Sequence, residues 1–224
     1  MPLILNINTA FETASVNLSS GDEIKFELQS SSQKDHASFL EPAIKEICTG
    51  AKISFNSIDA IAVINGPGSY TGLRVGLSSA KALCYASKKP LVLLNTLDVM
   101  AFALKLQSPV SHQNVFYCPM IDARRMEVFT ALYDQNLHLV KNYTSEIIDN
   151  RFLEKEFNEN QIILGGNGSF KFQTISTNKN LLYVNPLLLS QPAIILANRA
   201  FIKGDFANVA YSEPFYIKPV YFRK

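Results

Sequence analysis

Apolar and polar residues alternate in three short runs near the start of the chain, LILNIN (3–8), ASVNLS (14–19) and EIKFELQ (23–29). That period predicts three strands joined by tight turns, FET and the SSGD tract around Gly21. The spacing then lengthens in HASFLEPAIKEICTG, where Ala37, Leu40, Ile44 and Ile47 form a helical stripe. Asp35 is the expected N-cap, and Gly50 marks the helix end. A buried strand IDAIAVIN (58–65) follows, then a glycine-rich turn, a helix from 72 to 87, the strand PLVLLN and the helix TLDVMAFALKL.

From residue 114 the order begins again. NVFYCPMID (114–122), MEVFTALYD (126–134) and LHLVKNYT (137–144) read as three strands. After them come a helical stretch around 150–157, the strand QIILGG, a glycine-rich turn, the strand LLYVN and the helix PAIILANRAFIKG. Antiparallel strands followed by parallel crossovers imply an α/β mixed sheet with helices on its faces. Two such units in tandem resemble the duplicated actin-like (ASKHA, RNase H-like) architecture. The expected domains are 1–107 and a more irregular 108–224, divided at the loop SPVSHQ (108–113). One large mixed α/β domain is the alternative.

Composition narrows the function class. The 224 residues suffice for two domains of about 100 residues each. Hydrophobic residues at 47% and charged residues at 18% exclude disorder, collagen and coiled coil. A net charge of +2 excludes a polybasic nucleic-acid coat, though not a local basic patch. There is no tryptophan. Cys48, Cys84 and Cys118 include no CxxC pair, so neither a disulfide framework nor a zinc knuckle is expected, and free thiols suit a reducing cytoplasm. MPLILNINTA lacks the basic start of a signal peptide, and no run reaches the length of a membrane span.

The sharpest segment is Asn65-Gly66-Pro67-Gly68-Ser69-Tyr70-Thr71-Gly72-Leu73-Arg74-Val75-Gly76, which follows a buried strand and opens a helix. Its position could bind an anion through free backbone N–H groups. Known phosphate codes fail, however. GxGxxG needs glycine at Thr71, no Gly-Lys pair completes a Walker loop, and a nucleophile elbow needs glycine at Pro67 and Thr71. The plain alternative is a tight turn capped by Ser69 or Thr71. Gly72, Gly76 and Ala80 recur every four residues, although each helical glycine costs up to about 1 kcal/mol relative to alanine. Such a smooth line allows close approach by the protein's own sheet or by a second protein.

No catalytic constellation assembles. His36, His112 and His138 have no metal-ligand spacing. Asn8 ends the first strand, where an actin-like site would want a carboxylate for magnesium. Asp122-Ala-Arg-Arg ends the equivalent strand of the second unit, and Asp122 would pair there with Arg124 or Arg125.

At these residues the chain resembles the TsaB (YeaZ) family. The matches are ILNINTAFETASVNL, DHASFLEPAI, GPGSYTGLRVGLSSAKAL, NTLDVMA, PMIDARRMEVF, the GGNG turn and EPFYIKPVYFRK. The resemblance implies a cytoplasmic protein of actin-like fold that helps make threonylcarbamoyladenosine beside the tRNA anticodon. It implies a non-catalytic subunit that pairs with the paralogous catalytic subunit TsaD. The ATPase TsaE is a further partner, TsaC makes threonylcarbamoyl-adenylate, and tRNA is an indirect partner, with direct contact left open. No cofactor or metal is implied. The catalytic paralogue's HxxxH positions fall here at Thr96 and Met100, neither suited to its metal. Gly66, Gly68, Ser69, Thr71 and Gly72 would then be a structural or vestigial anion loop, and Asn8, Asp122 and Arg124 vestigial cleft groups.

The resemblance also places the partner interface on the helices 36–48 and 72–87. The apolar surface of the first and the small-residue line of the second suggest Phe39, Leu40, Ala43, Leu73, Gly76, Leu77 and Ala80 as its residues. The same surface could form a homodimer when the partner is absent. The rival readings are an actin-like ATP-using kinase or ligase and a metal-dependent glycoprotease.

Overall fold

The computed structural model describes residues 1–30, 36–108, 114–156, 160–185 and 187–218. The chain divides into two compact units, each an α/β unit built on one five-stranded sheet.

The first unit holds Met1–Thr96 and Ser190–Phe215. Its strands are β1 (Leu3–Asn8), β2 (Ser15–Ser20), β3 (Glu23–Gln29), β4 (Ala60–Gly66) and β5 (Leu91–Asn95), in the order β3-β2-β1-β4-β5. β1 pairs antiparallel with β2 and parallel with β4. Alternation explains the layering: Leu5, Ile7, Val16, Leu18, Ile61 and Val63 share one face. Helices α1 (His36–Gly50) and α2 (Tyr70–Ser87) cover that face with Leu40, Ile44, Ile47, Leu77, Ala80 and Cys84.

The second unit runs from Leu97 to Leu189 and resumes at Tyr216. Its strands are β6 (Val115–Asp122), β7 (Glu127–Tyr133), β8 (Leu139–Ile147), β9 (Gln161–Gly165) and β10 (Leu181–Val184). The order β10-β9-β6-β7-β8 is the first sheet's order repeated. Cys118, Met120, Val128, Leu132, Ile162 and Leu164 build its core with Phe172 of α4 (Ser169–Gln173). Phe152 meets Phe172 edge-on at 5.1 Å.

Three expectations are corrected. The units do not separate at 107/108, because two helices pack away from their neighbours in sequence. α3 (Thr96–Gln107) follows β5, yet Leu104 and Met100 lie against Gly165 and Gly166. Its Asp98 Oδ1 accepts hydrogen bonds from the hydroxyls of Tyr133 (2.6 Å) and Tyr143 (2.8 Å). α5 (Ser190–Lys203) follows β10 but packs on β1, β3, β4 and β5. Gln191 Nε2 and Asn198 Nδ2 of α5 both donate to Asp22, at its carbonyl and its carboxylate.

The helical stretch around 150–157 is instead a series of turns over 151–156, in which Leu153 has φ 63°. A left-handed residue of this kind interrupts a helix. In the predicted stripe of α1, Ala37 is exposed, and burial begins with its neighbour His36. Asp35 and His112 lie outside the described residues, so the proposed α1 cap does too.

Candidate functional site

The turn after β1 is built from its own side chains. Asn8 Oδ1 accepts from the Ala10 amide at 3.1 Å, an Asx turn. Thr9 is fully buried, and its hydroxyl donates to the Gly72 carbonyl at 2.7 Å. The Ser69 amide donates to the Ala10 carbonyl at 2.8 Å. His36, also buried, holds Nε2 3.0 Å from the Glu12 carbonyl.

These contacts account for the glycine block. A Cβ on Gly68 would lie 2.5 Å from the Ala10 carbonyl oxygen. On Gly72 it would run into the Thr9 carbonyl, and on Gly76 into the Thr9 hydroxyl, both far inside van der Waals contact. Gly66 has φ 125° and faces the Phe215 carbonyl, so it needs both the rare backbone conformation and the missing side chain. The glycine block therefore seats the protein's own turn after β1, and two of the amides that an anion would need are already bonded, that of Ser69 to the Ala10 carbonyl and that of Gly72 to the Ser69 hydroxyl. Ser69 provides the cap, accepting from the Gly72 amide at 3.3 Å, while Thr71 is exposed and takes no part in it. Arg74 stacks its guanidinium 4.1 Å from the centre of the Tyr70 ring.

The turn after β6 repeats the Asx geometry. Asp122 Oδ1 accepts from the Arg124 amide at 2.6 Å, and the Asp122 amide donates to Asn167 Oδ1 at 2.9 Å. The expected arginine partner is corrected: the carboxylate pairs with Lys171 of α4, at 2.7 Å. Chain direction explains this, since α4 starts where β9 delivers it, beside the end of β6. Burial alone would raise the Asp122 carboxyl. The hydrogen bonds from Lys171 and the Arg124 amide outweigh it and hold the group below the usual carboxylate range. Glu127 accepts from Lys218 and from Ser145 Oγ, the latter at 2.6 Å. These two bonds lower its carboxyl as well.

The seven expected interface residues do not form a surface. Leu40, Ala43, Leu73, Gly76, Leu77 and Ala80 are buried within the first unit, and Phe39 is half-buried against the same core. A helix face that seats its own sheet cannot also meet a partner. The outward face of α2 is instead Thr71, Arg74, Ser78, Ala82 and Tyr85, with Tyr85 84% exposed. Beside it, Ala82, Tyr85, Val209 and Ala210 line an open groove of about 510 Å³. Lys81 fixes its wall by donating to the carbonyls of Ala210 (3.1 Å) and Ser212 (2.9 Å). Reading α2 at the 3.6 period with only its outward positions retained would have found Ala82 and Tyr85.

Burial pushes the thiols of Cys84 and Cys118 up to about 12, so neither offers a thiolate at neutral pH. His138 bonds to Asp134, four residues away in a turn. Among the described residues no group of three or more His, Cys, Asp or Glu side chains could hold a metal. Thr96 and Met100 are buried. No helix among them is long and apolar enough to cross a membrane.

Residues 29–212 match the TsaD family, described as tRNA N6-adenosine threonylcarbamoyltransferase. The tRNA threonylcarbamoyladenosine biosynthesis protein TsaB of Escherichia coli is 25% identical over 96% of this chain and 94% of its own. The tRNA N6-adenosine threonylcarbamoyltransferase of Bartonella bacilliformis is 43% identical over a shorter stretch, 36% of this chain and 21% of its own. The crystal structure of YeaZ from Pseudomonas aeruginosa superposes with a TM-score of 0.77 at 20% identity, covering 96% of this chain and all of that one. An inorganic polyphosphate/ATP-glucomannokinase from Arthrobacter reaches a TM-score of 0.50 at 11% identity, over 91% of this chain and all of that one. These likenesses agree with a duplicated actin-like fold.

Proposed function

Because the chain belongs to the tRNA N6-adenosine threonylcarbamoyltransferase (TsaD) family, and within it to the TsaB (YeaZ) group, we propose that it serves threonylcarbamoyl modification of tRNA as a non-catalytic subunit. One observation carries the non-catalytic part. The Ala10 and Thr9 carbonyls pack against Gly68 and Gly72, the Ala10 carbonyl takes the Ser69 amide, and Asn8 is spent on the Ala10 amide, so the first strand-end turn is committed to its own packing. A catalytic turn of this architecture would leave its amides and a carboxylate facing the reactants.

The partner is a paralogous catalytic subunit related to TsaD, with a TsaE-like ATPase in the same system. The docking face is the outward side of α1 and α2, with Phe39, Arg74, Ser78, Ala82 and Tyr85. It combines two aromatics and an arginine, residue types enriched at interface centres, with the small Ser78 and Ala82 allowing close approach. With no partner present, two copies would meet through this face.

Reconstitution tests the reading. Purified catalytic paralogue, ATPase, threonylcarbamoyl-adenylate and tRNA should give modified nucleoside only when this chain is added. The chain with tRNA and the adenylate alone should give none, and product from that mixture would overturn the non-catalytic role. Ala82→Glu, on an exposed position, should keep its melting profile and weaken association with the paralogue at least tenfold. Undiminished association would move the interface off α2.

A further inference from the structure

The hairpin tip between β6 and β7 carries Arg124 and Arg125, both exposed and both in the left-handed region, with φ 71° and 46°. Each such residue with a side chain costs about 1–2 kcal/mol, so the tip is held open against a local preference. What holds it is visible. The Arg124 amide donates to Asp122, Ala123 and Arg124 bond to Glu127 through the backbone, and the Ile148 amide donates to the Met126 carbonyl at 2.7 Å. The carboxylates beside the tip are already neutralised, Asp122 by Lys171 and Glu127 by Lys218. Among the described residues neither guanidinium has a side-chain partner, so two planar donor forks face solvent on a fixed backbone. α4 is docked alongside, because a Cβ on Gly168 would lie 2.9 Å from the Ile121 carbonyl carbon. On that helix Phe170 is 54% exposed, next to the lysine that binds Asp122.

We propose that this tip contacts tRNA directly, Arg124 and Arg125 taking backbone phosphates and Phe170 stacking on an unpaired base. The inference rests on the tRNA reading above and goes beyond it, since that reading assigns this chain no direct tRNA contact. Guanidinium forks match phosphate oxygens bidentately. An exposed aromatic on the helix docked at the end of β6 suits the unstacked bases of an RNA loop. With the neighbouring carboxylates compensated, the two guanidinium charges complement a ligand with at least two negative charges of its own, as a polynucleotide has.

The test uses Arg124→Asn with Arg125→Asn, because asparagine tolerates the left-handed backbone while the guanidinium forks and their charges are removed. In the reconstituted reaction the double variant should raise the KM for tRNA about tenfold at 50 mM salt, with kcat little changed. The gap should close by 200 mM, since two phosphate contacts account for about a tenfold salt effect over that range. Arg124→Lys with Arg125→Lys should restore the salt dependence, and Phe170→Ala should raise KM without altering it. Melting profile and affinity for the catalytic subunit serve as controls. An unchanged KM and salt slope would overturn the proposal. So would a variant that loses protein partners while its tRNA KM is unchanged, which would make the tip a protein-docking element. If the wild-type chain fails to support modification, the functional reading falls by itself. Direct titration with an unmodified tRNA transcript then decides the tip: binding weakened by the double variant supports it, and equal or absent binding overturns it.

Discussion

Asn8 ends β1 and Asp122 ends β6, and each side-chain oxygen accepts from the amide two residues on, at 3.1 Å and 2.6 Å. Gly66-Pro67-Gly68-Ser69 starts on the last residue of β4, and Gly166-Asn167-Gly168-Ser169 follows β9. The first glycine of each has positive φ, 125° and 95°. In each, a Cβ on the second glycine would meet the backbone at the end of the unit's first strand, Ala10 or Ile121. The helices that follow then diverge. α2 runs for 18 residues with Gly72 and Gly76 cradling Thr9, whereas α4 runs for 5 and has no such row. The first turn is consequently pulled into the fold and buried at Thr9, while the second stays outside with two arginines at its tip. One duplicated element has become packing on one side and accessible charge on the other. The length and small-residue content of the following helix decide which.

The largest break in this comparison should come from Ala80→Glu. Ala80 is fully buried where α2 meets its sheet, and an unpaired buried carboxylate should cost more than about 4 kcal/mol. Urea unfolding should show a collapsed midpoint or no folded baseline, rather than a folded protein with a faulty interface.

Gly72→Ala should cost about 3 kcal/mol or more, because the added methyl meets a backbone carbonyl and not a movable side chain. Gly168→Ala, at 2.9 Å from its nearest atoms, should cost about 1–3 kcal/mol. Urea midpoints at constant m-value give both numbers. Equal costs would mean that the two turns are equally packed.

Asp122→Asn keeps the Asx acceptor and removes the charge facing Lys171, itself only 16% exposed. Asp122 is 42% exposed, so solvent screening limits the loss at pH 7 to under about 1 kcal/mol. The sign of the pH effect follows from the lowered carboxyl. Its contribution is present above the unfolded value of about 3.9 and disappears as pH falls through the lower folded value. Wild type and variant should therefore converge in stability under acid, which a series of melts between pH 6 and pH 2 would show. In the reconstituted reaction Asp122→Asn should stay within a few-fold of wild type. A loss of about a thousandfold, or roughly 4 kcal/mol, would place Asp122 among transition-state groups.

Asn8→Asp should have the smallest effect, within about 0.5 kcal/mol, since aspartate offers the Ala10 amide the same oxygen. Calorimetry resolves a change of that size. A larger stabilisation would show an unrecognised cation near the first turn.

The alternation of LILNIN, SVNLS and EIKFELQ, and its return after residue 114, was enough to establish two mixed sheets and their repetition. Strand period is a local property, set by which side chains face water. The glycine block was legible as a place of close approach, because glycine in a helix needs a compensating contact. What approached it was not legible. The Thr9 and Ala10 carbonyls lie more than fifty residues away in sequence, and only folding brings them to Gly68 and Gly72. The destinations of α3 and α5 depended on tertiary partners in the same way, since an apolar stripe says that a helix face is covered but not by which sheet. The interface residues were misassigned for that reason too. Leu73, Leu77 and Ala80 are apolar as a partner surface would require, and just as apolar as the seat of a helix on its own sheet. Burial alone separates the two.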